Sequence, residues 1–134
     1  MNRTLTLTLA ALAAIAFGLP ATMAAQGSAF SVDPNLAERG RKVFLSPLTG
    51  CYGCHAFGRR LAGPDLMAVA ERRDHDWLRR FLKETEAMLL GDPQGQAMLE
   101  EWKGVRMPQF KLTDADINAL IHYFADETRR LRGG

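Results

Sequence analysis

Cys51, Cys54 and His55 are the residues of this chain whose types and spacing carry the most chemistry. They stand together in Cys51-Tyr52-Gly53-Cys54-His55. Two cysteines separated by two residues, with histidine directly after the second, form the attachment pattern of a c-type haem. The thiols can become thioethers on the porphyrin vinyl groups. The imidazole can then ligate the iron from the proximal side. Three rival chemistries use similar cysteines. A thioredoxin-like redox pair follows a strand in a βαβ pattern, and no such pattern precedes Cys51. A zinc site needs four ligands, usually as two spaced pairs. Outside the motif only His75 and His122 are available, far apart and unpaired. A structural disulfide leaves His55 without a role and closes too short a loop to constrain the chain much.

The second axial position separates electron transfer from gas or peroxide chemistry. A thioether favours reduced iron and leaves no open coordination site. The candidates beyond the leader are Met67, Met88, Met98, Met107, His75 and His122. Met107 is favoured. It lies in Gly104-Val105-Arg106-Met107-Pro108-Gln109-Phe110, a stretch expected to be a loop that Pro108 stiffens. Met88 and Met98 stand beside leucines at helical spacing, where methionine is ordinary core filler. Met67 is close to the motif in sequence. His122 falls beside an apolar helical face, and His75 lies among charges.

The flanking segments must position these groups. Asp33-Pro34 reads as an N-cap and first helical residue. Leu36, Gly40, Val43 and Phe44 then recur on one face. Gly40 weakens that helix, so a close backbone approach is expected there. Thr113 caps a second clear helix, with Asp114 and Asp116 at its positive end. Ile117, Leu120, Ile121 and Phe124 form its apolar stripe. This helix is the expected partner of the Gly40 face. Between the two, Gly63-Pro64-Asp65 makes a turn, followed by a helical turn over Leu66 to Ala70. A helix starting at Asp74 or Asp76 points Trp77, Leu78, Phe81 and Leu82 inward. Gly91-Asp92-Pro93 restarts the chain, Met98, Leu99 and Trp102 follow at helical spacing, and Gly104 closes that helix. No segment shows strand alternation, so the class is all-α.

The N-terminus reads as a targeting segment. Asn2 and Arg3 precede an apolar run from Leu5 to Leu19, and Pro20 ends it. Small residues follow, with cleavage expected after about Ala24. The run is shorter than the ~20 residues of a spanning helix. The expected organisation is a cleaved signal peptide over 1–24, a short linker over 25–32, one domain over 33–130 and a basic end over 131–134. Export to the periplasm suits thioether formation, and both of the chain's 2 cysteines are then used. The formal net charge of +2 falls by one with Arg3. Such a balance gives no argument for nucleic-acid or membrane binding.

Together these elements resemble a class I monohaem cytochrome c over about residues 33–130. The resemblance rests on five features in the family's order. They are the helix with Gly40 and Phe44, the Cys-x-x-Cys-His motif, Gly63-Pro64-Asp65-Leu66, Met107-Pro108, and a Leu-Thr-x-x-x-Ile helix. It implies a small helical bundle around one covalent haem c, with crossed terminal helices. It also implies that the Pro64 carbonyl accepts from the His55 ring. Cys51, Cys54, His55, Pro64 and Met107 are thus the expected cofactor-binding residues, with His55 and Met107 on the metal. Arg59, Arg60 and Trp102 are candidates for the haem propionates. The stretch from Trp77 to Trp102 is longer than in the smallest members, and its role is open.

The function expected is single-electron transfer between redox protein partners, as a monomer or as a subunit. The chain would be a carrier rather than an enzyme. Two alternatives stand beside it. One is the electron-accepting subunit of a dehydrogenase or reductase complex. The other is a haem sensor or peroxidase with a labile sixth ligand, for which no distal acid–base pair is evident near Met107.

Overall fold

A computed structural model describes residues 30–133. The expected leader, its cleavage point after Ala24 and most of the linker lie outside those residues. Among the described residues all regular structure is helical: α1 (Pro34–Phe44), α2 (Cys51–Cys54), α3 (Val69–Arg72), α4 (His75–Lys83), α5 (Thr85–Gly91), α6 (Pro93–Glu101) and α7 (Asp114–Arg132).

The crossing of α1 on α7 is the frame. Asp33 caps α1 by accepting from the amides of Asn35 at 2.8 Å and Leu36 at 3.2 Å, and Pro34 takes the first helical turn. The buried residues of α1 are Ala37, Gly40 and Phe44. Leu36 and Val43, expected at the centre of this face, are only half-buried. The stripe turns toward Ala37 because Gly40 must meet the α7 backbone. A Cβ at Gly40 would collide with the Ala119 carbonyl and lie 2.7 Å from Tyr123 Cβ. Only glycine allows that approach.

α7 starts with a full capping box. The Thr113 hydroxyl accepts from the Asp116 amide at 3.1 Å, while Asp116 Oδ2 accepts from the Thr113 amide at 3.2 Å. Its expected stripe of Ile117, Leu120, Ile121 and Phe124 is buried, together with Ala119, Tyr123 and Thr128. Leu120 and Ile121 are each 1% exposed, and complete burial of such a side chain stabilises by about 1.5–3 kcal/mol. α7 runs through Arg132, so the first residues of the expected basic end are helical. Arg129, Arg130 and Arg132 complement the negative end of the helix dipole. They pair with Asp126, Glu127 and Glu71.

The short helices α3 to α6 form the opposite wall. Asp74 caps α4 by accepting from the Trp77 amide at 2.8 Å, and Trp77, Leu78, Phe81 and Leu82 face inward. The Trp77 and Phe81 rings stack at 4.9 Å. Asp92 accepts from Trp77 Nε1 at 2.9 Å while capping α6. Lys103 and Gly104, both with left-handed φ, end α6. The helical turn expected over Leu66 to Ala70 lies instead at Val69–Arg72. Its start is displaced because Ala68 is left-handed, at φ 57°, and gives its amide to Thr128 Oγ1 at 3.0 Å.

Candidate functional site

Thr49, Gly50 and the α2 turn present the two thiols. The Thr49 hydroxyl donates to the Val43 carbonyl at 2.6 Å, tying the approach to α1. Gly50, at φ 59°, reverses the chain in a conformation that glycine adopts freely. Cys51 and Cys54 then stand three apart on a single helical turn, so their side chains share one side of it. Cys51 is half-buried and Cys54 exposed. Burial pushes the Cys51 thiol above its ordinary pKa, against a smaller lowering by the Thr49 hydroxyl.

His55 leaves α2 in an extended conformation, with its amide donating to the Cys51 carbonyl at 2.9 Å. Its ring lies against Gly63, where an added Cβ would sit 2.8 Å from Nδ1 and 2.9 Å from Nε2. Nδ1 is 2.9 Å from the Pro64 carbonyl oxygen. A carbonyl can only accept, so Nδ1 carries the proton. Nε2 is left with a free lone pair, the state in which imidazole ligates a metal.

Met107 lies in the irregular stretch between α6 and α7. It is half-buried against the core. Gln109 holds this stretch: its side-chain amide donates to the Lys83 carbonyl at 2.9 Å, and its oxygen accepts from the Glu86 amide at 3.4 Å.

All five expected residues, Cys51, Cys54, His55, Pro64 and Met107, line one cavity of about 460 Å³. That volume is usual for a ligand pocket. Phe44, Trp77, Phe81, Leu82, Leu120 and Phe124 give it apolar walls. Two thiols, one imidazole with a free nitrogen, the thioethers of Met107 and Met98 and an apolar slot form a donor set that fits a covalently held haem. No cluster of three or more His, Cys, Asp or Glu suited to a bare metal ion occurs among the described residues.

The cytochrome c family model matches residues 37–126, more than half of the chain. The chain belongs to the cytochrome c family. The family's haem c is covalently bound, and the role it gives the protein is haem-based electron transfer. A cytochrome c from Rhodothermus marinus superposes with a TM-score of 0.67 at 24% identity, covering 75% of this chain and 83% of its own. At that identity the likeness is one of fold. The cytochrome c domain of the pp3183 protein from Pseudomonas putida is 36% identical, with a TM-score of 0.62, over 69% of this chain and 91% of that one. A comparison with curated proteins found no match.

Several features of this cytochrome are not evident from spacing. Phe57 packs 5.6 Å from Tyr123 and 5.9 Å from Phe44, closing an aromatic cluster behind the motif. Asp65 and Gln109 tie the loops that carry Pro64 and Met107. Of the propionate candidates, Arg60 and Trp102 line the cavity and Arg59 does not. The Arg60 guanidinium lies 3.7 Å over the Trp102 ring and 3.5 Å from a Glu101 carboxylate oxygen. Arg72, Arg73 and Arg106 also reach the lining.

Of the rival ligands, one shares the cavity and the others do not. Met67 does not line the cavity; Met98 does, from α6. Met88 is a core residue at 6% exposure. His122 is buried, and its Nδ1 accepts from the Asp33 amide at 3.0 Å. His75 is half-buried rather than solvated. Its Nε2 donates to the Ala70 carbonyl at 2.8 Å, and its ring meets Phe30 edge-on at 4.3 Å.

Proposed function

We propose that this cytochrome is a monohaem electron carrier of the periplasm, exported by residues 1–24. Cys51 and Cys54 would hold the haem as thioethers, and His55 and Met107 would supply the protein ligands to its iron. Haem supplies one-electron exchange that side chains cannot perform. The chain's residues do the rest. The Pro64 carbonyl fixes the His55 tautomer and strengthens its donation. The aromatic walls exclude water. The Met107 thioether would favour the reduced state and leave no open position for a gas or peroxide. Donor and acceptor are redox proteins.

The observation that carries this reading is one cavity lined by both an imidazole with a free Nε2 and a loop thioether. The test is an absorption spectrum of wild type and Met107→Ala in both oxidation states. The methionine–iron charge-transfer band is expected in the oxidised wild type and absent from the variant. Carbon monoxide should bind the reduced variant and leave the reduced wild type untouched at neutral pH. A band that survives the substitution assigns the sixth position to another residue.

A second reading, an electron-accepting subunit of a larger redox complex, is favoured by exposed apolar side chains. Leu48 is 91% exposed and Val105 60%. Copurification with a larger enzyme at fixed stoichiometry supports this reading, and a monomer throughout purification removes it.

A further inference from the structure

The Pro64 carbonyl can orient His55 only if its own peptide is held still. Proline has no amide hydrogen with which to anchor itself. The peptide that bears this carbonyl links Pro64 to Asp65, so whatever holds Asp65 aims the acceptor. Asp65 Oδ1 accepts from two amides, Gly58 at 2.8 Å and Met67 at 2.8 Å. These donors lie on opposite arms of the loop between α2 and α3. One oxygen therefore draws the two arms together, with Pro64 at the bend. The Leu66 amide donates to the Ala56 carbonyl at 3.0 Å across the same gap. Arg72 donates to the Asp65 carbonyl at 3.1 Å, and Thr128 receives the Ala68 amide at the loop's far end.

We infer that Asp65 is a positioning residue for the proximal histidine: its single oxygen buckles the loop and so sets the strength of the His55–Pro64 hydrogen bond. The inference rests on the reading of His55 as an axial ligand. A firm bond from Nδ1 makes the imidazole a more basic ligand. A loosened bond makes it a poorer donor, stabilises oxidised iron less and raises the reduction potential.

Charge and geometry are separable because one oxygen takes both amides. Asp65→Asn removes the charge and keeps an acceptor oxygen in place. Asp65→Ala removes both. Asp65→Glu keeps the charge and moves the oxygens a methylene away, and it carries the test where the alanine variant gives no holoprotein. Exchange of the His55 Nδ1 proton is read by NMR on the reduced, haem-loaded chain, and the potential by titration. Exchange is expected to be roughly tenfold faster in Asp65→Ala and Asp65→Glu, in keeping with locally opened protection, and near wild type in Asp65→Asn. The potential of Asp65→Ala should lie above that of Asp65→Asn. Wild-type exchange in the alanine and glutamate variants overturns the inference. Equal loss in the alanine and asparagine variants overturns it too, because the charge alone would then act. A separate observation guards the underlying reading: the His55 ring protons should carry large hyperfine shifts in the oxidised wild type. If they do not, His55 is not the ligand. If they do while the variants behave as wild type, only the role of Asp65 fails.

Discussion

The two sides of the cavity are built differently. On the His55 side, position is set by short loops and hydrogen bonds between near neighbours in sequence. His55 donates to Pro64, Gly63 gives its amide to the Cys54 carbonyl at 2.7 Å, and Asp65 closes the arms around them. On the Met107 side the chain has no helix or strand of its own. Its polar ties are exposed side chains, Gln109 on the α4–α5 junction and Arg106 paired with Glu86 at 4.0 Å. The first arrangement is rigid because its contacts support each other. The second is a strap whose polar ties are few and exposed, and such segments open at lower free energy than the core does. An axial ligand on the strap should exchange more readily than one on the buckled loop.

Gly63→Ala is the largest expected break in this contrast. The new Cβ meets the His55 ring, whose movement Pro64 opposes. Overpacking of this kind costs about 1–3 kcal/mol. Denaturant midpoints of the holoprotein should fall, and the reduction potential should move with them. An unchanged potential would show that the ring has slack on the side described here as rigid.

Gln109→Ala should act on the other side alone. It removes hydrogen bonds from an exposed side chain, at about 0.5–1.5 kcal/mol each and nearer the lower figure in water. Amide exchange should rise in residues 105–112 and stay unchanged in residues 55–68. Equal exchange gains on both sides would remove the distinction between strap and buckle.

The smallest effect is expected outside the cavity, at His122. Burial lowers its pKa below the ordinary histidine value. The Asp33 carboxylate opposes this, while Arg79 and His75 add to the lowering. The folded state therefore favours neutral His122, whose Nδ1 accepts from the Asp33 amide. A depressed folded pKa gives stability that is complete above the unfolded value, about 6.5, and lost as pH falls through the folded value. Stability of the wild type should thus drop on mild acidification by more than that of His122→Asn, whose oxygen accepts without titrating. Parallel curves from the two proteins between pH 7 and 5 (roughly the histidine range) would contradict this.

What was legible in the sequence follows from how far each residue's partner lies along the chain. The caps Asp33, Asp74 and Thr113 act on amides two or three residues away, and each is where local pattern puts it. Gly40 was readable as a close approach because a glycine on an apolar helical face has few other uses. The Cys51–His55 motif carries its chemistry within five residues. The start of α3 was not readable. It depends on Thr128, far down the chain, receiving the Ala68 amide. Asp65 and Gln109 escaped for a different reason: a lone polar residue in a loop has no period to mark it, however near its partners lie. Leu36 and Val43 looked central on α1 because hydrophobicity was weighed without the α7 backbone that Gly40 meets.

The crossing at Gly40 also orders events in time. Contacts within the Cys51–His55 turn are local and need no long loop to close. The wall made by Leu120 and Phe124 belongs to the last helix, and closing so long a loop carries a large entropic cost. Until that helix docks at Gly40, the thiols face an open half-shell. The fold thus allows a cofactor to be joined first and enclosed afterwards, and a single hydrogen atom in place of a side chain lets the final helix shut the door.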